Sequence, residues 1–293
     1  MGLFTRGGAG VLAAVLVLAA GCGPGGGEPS PSAGSPAAAP GGSSAPPPGA
    51  VGEGTRPPGA VPPTGSASAP APARDALDGA VIAVDPGHNG GNAAAAEQIA
   101  QQVPAGPDTK ECDTVGAETD SGYAEHAFNY DVALRLTELL EARGAEVVLT
   151  RHDDDGVGPC VNERAEIGNE AGADAAVSIH ADGGPDGGGG FHVIVPERIE
   201  GYTDAIAEPS ARLGRSLRDA FHEVTGQPYS DYTAEDGLDV RGDLGGLNLS
   251  TVPKVFLEVG NMRNADDAAL MTDPEWRQLA AEGIAAGLAD YLG

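Results

Sequence analysis

The sequence predicts an α/β fold, a single layered domain with a mainly parallel sheet flanked by helices. Three observations predict it. From about residue 80 onward, short apolar runs of strand length alternate with segments of helical periodicity. The strand runs are continuously apolar, which suits a sheet covered on both faces. Helical patterns end on glycine stops, at Arg143-Gly144 and at Gly226.

The first strand is expected at residues 80–84, closing on the turn signal Asp85-Pro86-Gly87. Further strands are expected at 146–149, 175–179, 191–195 and 254–257. Phe128, Val132, Leu136, Leu139 and Leu140 recur at helical spacing between the first two. Residues 161–171 form a shorter helix. Leu213, Leu217, Ala220, Phe221 and Val224 mark another, and Trp276, Leu279, Ala280, Gly283, Ile284, Leu288 and Tyr291 mark the C-terminal one. Residues 89–123 and 228–251 fit neither period and are expected as loops near the mouth of a site.

The chain ahead of this domain reads differently. Arg6 and the apolar stretch 11–20 form a signal peptide over residues 1–21, too short to span a bilayer. Leu18-Ala19-Ala20-Gly21-Cys22 resembles a bacterial lipobox, with Leu18 one place further from the cysteine than is usual, so Cys22 is the expected lipidation site. Residues 22–74 are almost entirely Gly, Pro, Ala and Ser, which cannot offset their own ordering entropy and read as a disordered linker. A coil of that length reaches on the order of 40 Å. Residues 75–293 remain as the catalytic domain, long enough for a sizeable core. The expected location is the cell envelope, outside the plasma membrane.

Charge narrows the partners. Removing residues 1–21 takes away Arg6 and no acid, leaving 15 Lys and Arg against 43 Asp and Glu. The linker holds only Glu28 and Glu53 against Arg56 and Arg74, so the acidity belongs to the domain. Such a surface repels nucleic acid and anionic membrane, leaving membrane contact to the anchor alone. With Cys22 lipidated, Cys112 and Cys160 are left, and two cysteines in an exported domain are read as a disulfide, with a free buried pair as the alternative.

Ligands of open α/β sheets collect beyond the carboxyl ends of parallel strands. His88 follows strand one, His180 ends strand three, and Glu258 ends strand five. Glu125 lies three residues before Phe128 and seven before Val132, on the buried stripe of its helix, where a carboxylate needs a partner or a cation. Two imidazoles and a carboxylate are a common zinc shell, and a second carboxylate acts as base on the zinc-bound water and acid to the leaving amine. That role falls to Glu258. The spacing alone leaves His126 open as a ligand in place of Glu125, and leaves His192 facing either core or crevice. Asp85 is either an imidazole-orienting partner or a turn residue.

Several segments together resemble the zinc-dependent N-acetylmuramoyl-L-alanine amidases of bacterial cell walls (amidase type 3), especially actinobacterial members. Val81-Ile82-Ala83-Val84-Asp85-Pro86-Gly87-His88-Asn89-Gly90 is similar to the first metal motif, with Asn89 where glycine is usual. Gly122-Tyr123-Ala124-Glu125-His126-Ala127-Phe128-Asn129 is similar to the second, in which the glutamate is the ligand. Val147-Val148-Leu149-Thr150-Arg151 and Glu163-Arg164-Ala165 are similar to the next strand and helix. Ser178-Ile179-His180-Ala181-Asp182 is similar to the third metal motif, and Leu257-Glu258-Val259-Gly260-Asn261 with Asn264 to the catalytic-glutamate motif. The resemblance implies a roughly six-stranded sheet and one Zn2+ on His88, Glu125 and His180. It also implies cleavage between N-acetylmuramic acid and L-alanine of peptidoglycan or muropeptides; a monomer is expected. Arg241 and Asn261 are expected substrate contacts. The competing expectations are a zinc peptidase trimming stem peptides and a non-catalytic wall-binding lipoprotein.

Overall fold

The computed structural model describes residues 76–293. The expected signal peptide, the expected lipidation site Cys22 and the expected linker lie outside the described residues. In chain order the elements are β1 (Val81–Pro86), α1 (Ala96–Ile99), β2 (Gln102–Pro104), β3 (Thr109–Glu111), α2 (Glu125–Glu141), β4 (Glu146–Leu149), α3 (Val161–Glu170) and β5 (Ala175–Asp182). They continue with β6 (His192–Pro196), α4 (Ala207–Thr225), β7 (Leu238–Arg241), α5 (Gly245–Asn248), β8 (Lys254–Asn261), α6 (Ala265–Thr272) and α7 (Pro274–Leu292).

Six strands form one sheet in the order β4-β1-β5-β8-β6-β7, and β2 pairs with β3 in a separate hairpin. The pairings β4–β1, β1–β5, β5–β8 and β6–β7 are parallel, and β6 runs antiparallel to β8. The mainly parallel six-stranded sheet is therefore as expected. Two loop expectations are corrected in part. Residues 228–251 contain β7, which pairs with β6 through Val193↔Leu238 to Pro196↔Arg241. Only four residues long and with exposed Val240, β7 is an edge strand too short to show a period. Residues 89–123 contain α1 and the β2–β3 hairpin, elements of three or four residues with only Ile99 buried, too short for a burial pattern to mark.

Strand alternation sorts the sheet into two unlike faces. Ile82, Val84, Ala175, Val177, Ile179, Val255, Leu257 and Val259 bury against Phe128, Val132 and Leu136 of α2, Leu213 and Leu217 of α4, and Ile284 and Leu288 of α7. This thick layer is the main core. The other face carries small residues, Ala83 and Ala176, with α3 pressed close enough that a Cβ on Gly168 would stand 3.4 Å from Ala83 Cβ. On that thin face alternation also aligns Asp85, Ser178, His180, Lys254, Phe256 and Glu258. The core is thus segregated to one side, and the polar residues fall in rows on the other.

Cys112 and Cys160 are joined in a disulfide. It ties the segment after β3 to the N-terminus of α3 and is worth about 4 kcal/mol in the chain-entropy model. Thiol labelling of the unreduced protein is expected to find both residues blocked; labelling of either would refute the bridge.

Candidate active site

The cluster assembles at the carboxyl end of the sheet. Past the end of β1, His88 takes a left-handed backbone (φ 59°), rare for a residue with a side chain. Its carbonyl accepts a hydrogen bond from Arg164 Nη2 at 2.9 Å, which holds the turn. Next to it Gly87 has to be glycine, because a Cβ there would run into the His180 ring. His180 lies on the thin face of β5, its ring stacked on Phe256 at 4.9 Å. Glu125 opens α2 and reaches across the strand ends, where its Oε1 accepts from Ala181 N–H at 3.1 Å.

These three side chains converge. His88 Nε2 is 3.2 Å from Glu125 Oε1, and His180 Nδ1 is 3.0 Å from the same oxygen. One ligand atom from each lies within 4.8 Å of the others, an arrangement that could hold a metal ion. Burial pulls the His88 pKa down, but the Glu125 charge and the Asp113 hydrogen bond outweigh it and raise it to about 10. Burial alone would raise Glu125, yet the two imidazoles hold it well below the usual carboxylate range. His126 turns away, its Nδ1 2.8 Å from Asp154 Oδ2, so it is Glu125 that joins the histidines.

Glu258 stands opposite His180 in the β5–β8 register and opposite His192 in the β6–β8 register. Its Oε2 is buried and has no hydrogen-bond partner in the protein. Burial, followed by the charges of Glu125 and Asp182, pushes its pKa well above the carboxylate norm. His192 is buried, and burial lowers its pKa.

A cleft of about 880 Å3 runs over the cluster, lined among others by His88, Glu125, His180, Glu258, Arg241 and Arg263. A mostly apolar cavity of about 490 Å3 adjoins it behind the two imidazoles, walled by Val161, Leu244 and Phe256. Arg241 is on the cleft wall, steered by Asp243, to which its Nε and Nη2 donate at 2.8 Å each. Asn261 is not brought there. It is fully buried, and its Nδ2 donates to the carbonyls of Pro185 and Gly188 at 2.8 Å each, so its amide is spent on holding that loop.

Sequence reasoning left Asp85 undecided and missed its neighbours. Asp85 touches neither imidazole directly. Ser178 Oγ donates to Asp85 Oδ2 at 2.9 Å and lies 3.2 Å from His180 Nε2, so Asp85 reaches His180 through one hydroxyl. Lys254 Nζ and Arg164 Nη1 each donate to Asp85 at 2.9 Å, all three side chains buried. The signal was present, for Ser178 sits two residues before His180 on the same strand face, and Lys254 is a charge in an apolar run. Tyr232, donating from its hydroxyl to Asp182 Oδ2 at 2.9 Å, gave no such signal from its loop.

A carboxylate flanked by two imidazoles at the ends of parallel strands, faced by a second carboxylate kept free of partners, defines the class: a domain of α/β fold with a hydrolytic site that could hold a metal ion. The particular family follows from comparison, because the model for N-acetylmuramoyl-L-alanine amidases matches residues 82–290, and the chain belongs to that family. An N-acetylmuramoyl-L-alanine amidase of Mycobacterium tuberculosis is 44% identical over 235 residues, covering 80% of this chain and 93% of the relative. The crystal structure of an N-acetylmuramyl-L-alanine amidase from Mycobacterium smegmatis is similar with a TM-score of 0.70 at 42% identity, covering 74% of this chain and 98% of that one. The apo form of the enzyme from Mycobacterium abscessus matches with a TM-score of 0.70 at 43% identity, covering 74% of this chain and all of that one.

Proposed function

We propose that this chain is a zinc-dependent peptidoglycan amidase that hydrolyses the bond between the lactyl carbonyl of N-acetylmuramic acid and the amine of L-alanine. The observation that carries the mechanism is the His88–Glu125–His180 cluster facing the unpartnered Oε2 of Glu258 in one cleft. The donor set fits zinc, since two nitrogens and one carboxylate oxygen are the ligands of many catalytic sites that keep a fourth position open. Held by His88, Glu125 and His180, such an ion would supply Lewis-acid chemistry, the polarisation of a carbonyl and the acidification of water.

The remaining work falls to the chain itself. Glu258 takes a proton from the attacking water and returns it to the alanine nitrogen as the C–N bond breaks, so one carboxyl serves first as base and then as acid. Its raised pKa suits the second half of that cycle, and its ionised form the first. Arg241 lies where it can meet an anionic group of the stem peptide.

The test is digestion of purified peptidoglycan followed by mass spectrometry. Intact stem peptides with a free N-terminal alanine are expected, and activity should disappear on chelation and return with Zn2+. Shortened stems still attached to sugar would establish a peptidase in its place, and no release at all would leave only a binding role. The envelope is the place of action for such a substrate. Lipidation at Cys22 with residues 22–74 as a tether would keep a monomeric enzyme at the membrane while its domain reaches the wall.

A further inference from the structure

Two of the three clustered side chains take their outer hydrogen bonds from one short strap, residues 112–117. Asp113 Oδ1 is 3.2 Å from His88 Nδ1, and the Thr114 carbonyl is 3.1 Å from the same nitrogen. Ala117 N–H donates to Glu125 Oε2 at 2.7 Å, while the Ala117 carbonyl accepts from Glu125 N–H at 2.9 Å. Between these contacts Gly116 adopts φ 84°, and a Cβ on it would stand 2.8 Å from both Glu125 Oε2 and His88 Cδ2. The strap passes against both side chains at a distance only glycine allows.

The strap is held mainly by hydrogen bonds, from Asp113 N–H to the Ile99 carbonyl at 3.2 Å, from Cys112 N–H to the Gln101 carbonyl at 2.7 Å and from Asn92 Nδ2 to the Thr114 carbonyl at 2.7 Å, with Ala117 alone packed against the core. Val115 is 46% exposed, and Asp113, Thr114 and Gly116 supply no apolar anchor. Its one covalent anchor is Cys112, bonded to Cys160 and accepting a hydrogen bond from Val161 N–H at 2.9 Å. One turn into α3, Arg164 grips the carbonyl of His88 and the side chain of Asn89. Asn89 Nδ2 in turn donates to Asp113 Oδ2 at 2.9 Å. The disulfide therefore closes a ring that runs from His88 through Asp113 and Cys112 to α3 and back.

An imidazole that binds a cation through Nε2 must carry its proton on Nδ1, and the acceptor on Nδ1 fixes both tautomer and ring direction. His88 has two acceptors there. A bridge needed only to restrict the unfolded chain could close elsewhere; this one lands beside the carboxylate that orients a ligand. We propose that Asp113 is the positioning residue for His88 and that the Cys112–Cys160 disulfide holds it in place, so that the bridge sets metal affinity as well as stability. The inference rests on the metal assignment proposed above.

The test is Zn2+ affinity of the full chain, by competition with a chromogenic chelator, together with the visible absorption of the Co2+-loaded protein and urea unfolding of the metal-free form. Asp113→Ala is expected to weaken Zn2+ binding by about 10- to 100-fold and to shift the Co2+ bands. Asp113→Asn keeps an oxygen acceptor and should recover part of the loss. The Cys112→Ser/Cys160→Ser double variant should weaken binding in the same direction; if it does not fold, the Asp113 variants, with the bridge intact, decide alone. Unchanged Zn2+ affinity and an unchanged Co2+ spectrum in Asp113→Ala overturn the inference, as does a folded double variant that loses stability but no affinity. Wild-type protein that takes up no Zn2+ overturns the metal assignment itself, a distinguishable failure.

Discussion

Glu258→Gln is expected to lower turnover on the order of a hundredfold or more, the scale of a lost general base, while making the folded protein more stable at neutral pH. Both effects come from one placement. The carboxyl is buried on β8, its Oε2 lacks a partner, and burial together with Glu125 and Asp182 raises its pKa well above the ordinary value. In the unfolded chain the same group titrates near its usual carboxylate pKa. The folded state therefore keeps a proton that the unfolded state releases. The resulting stability is fully present below the unfolded pKa and is lost as pH rises through the folded one. Glutamine removes that loss, a gain in stability expected at pH 7 and shrinking toward pH 4. Thermal unfolding of wild type and variant across pH 4–8, with muropeptide release and Zn2+ content measured in parallel, checks each part. Retained Zn2+ with lost turnover separates a proton carrier from a ligand. Undiminished turnover in Glu258→Gln would falsify its assignment as the base. The same titration predicts that wild-type activity falls as pH drops through the raised pKa, because the protonated carboxyl cannot accept from water.

That trade of stability for function helps explain what the sequence made legible. Strand ends could be read because apolar runs stop at polar residues, and this located His88, His180 and Glu258 at the carboxyl ends of their strands. Glu125 needed its place on the α2 stripe, and the fold put His126 against Asp154. Direction was less visible. Nothing in residues 191–195 tells that β6 opposes β8, because an apolar run buried on both faces looks alike either way. The edge strand β7 is too short and too exposed for its period to show. Asn261 belonged to a motif next to Glu258, yet past the irregularity in the β5–β8 register it stands opposite Asp182 and its amide is taken up by the loop carbonyls of Pro185 and Gly188. The strap and the Asp85 network depend on contacts across 24 to 169 positions, which spacing along the chain does not encode.

Asp85→Asn is expected to be the most destabilising single substitution near the site although it removes no proposed ligand. Asp85 is 3% exposed, with Arg164 on one carboxylate oxygen and Lys254 on the other. Burial opposes its charge, but Lys254 and Arg164 outweigh that and hold its pKa well below the usual range. Its contribution is therefore present above the unfolded carboxyl pKa and is lost as pH falls through the lowered one. Neutralising it leaves two buried cations, of which Arg164 keeps Asp113 at 3.5 Å as a charged partner beside the carbonyls of Pro86, Pro159 and His88, while Lys254 Nζ loses its ion pair. Breaking a buried pair by removing one partner costs about 3–5 kcal/mol, and here Lys254 is the partner stranded. The exposed pair Arg212–Glu208 is the control, since both side chains are more than half exposed and Glu208→Gln should change stability by about 0.5 kcal/mol or less. Urea unfolding midpoints at pH 7 give both numbers. A small effect of Asp85→Asn would mean that water reaches Lys254 and Arg164, and that the thin face of the sheet is less sealed than its buried side chains indicate. A large one, with weakened Zn2+ binding alongside it, would show that the charge beneath Ser178 also steadies His180.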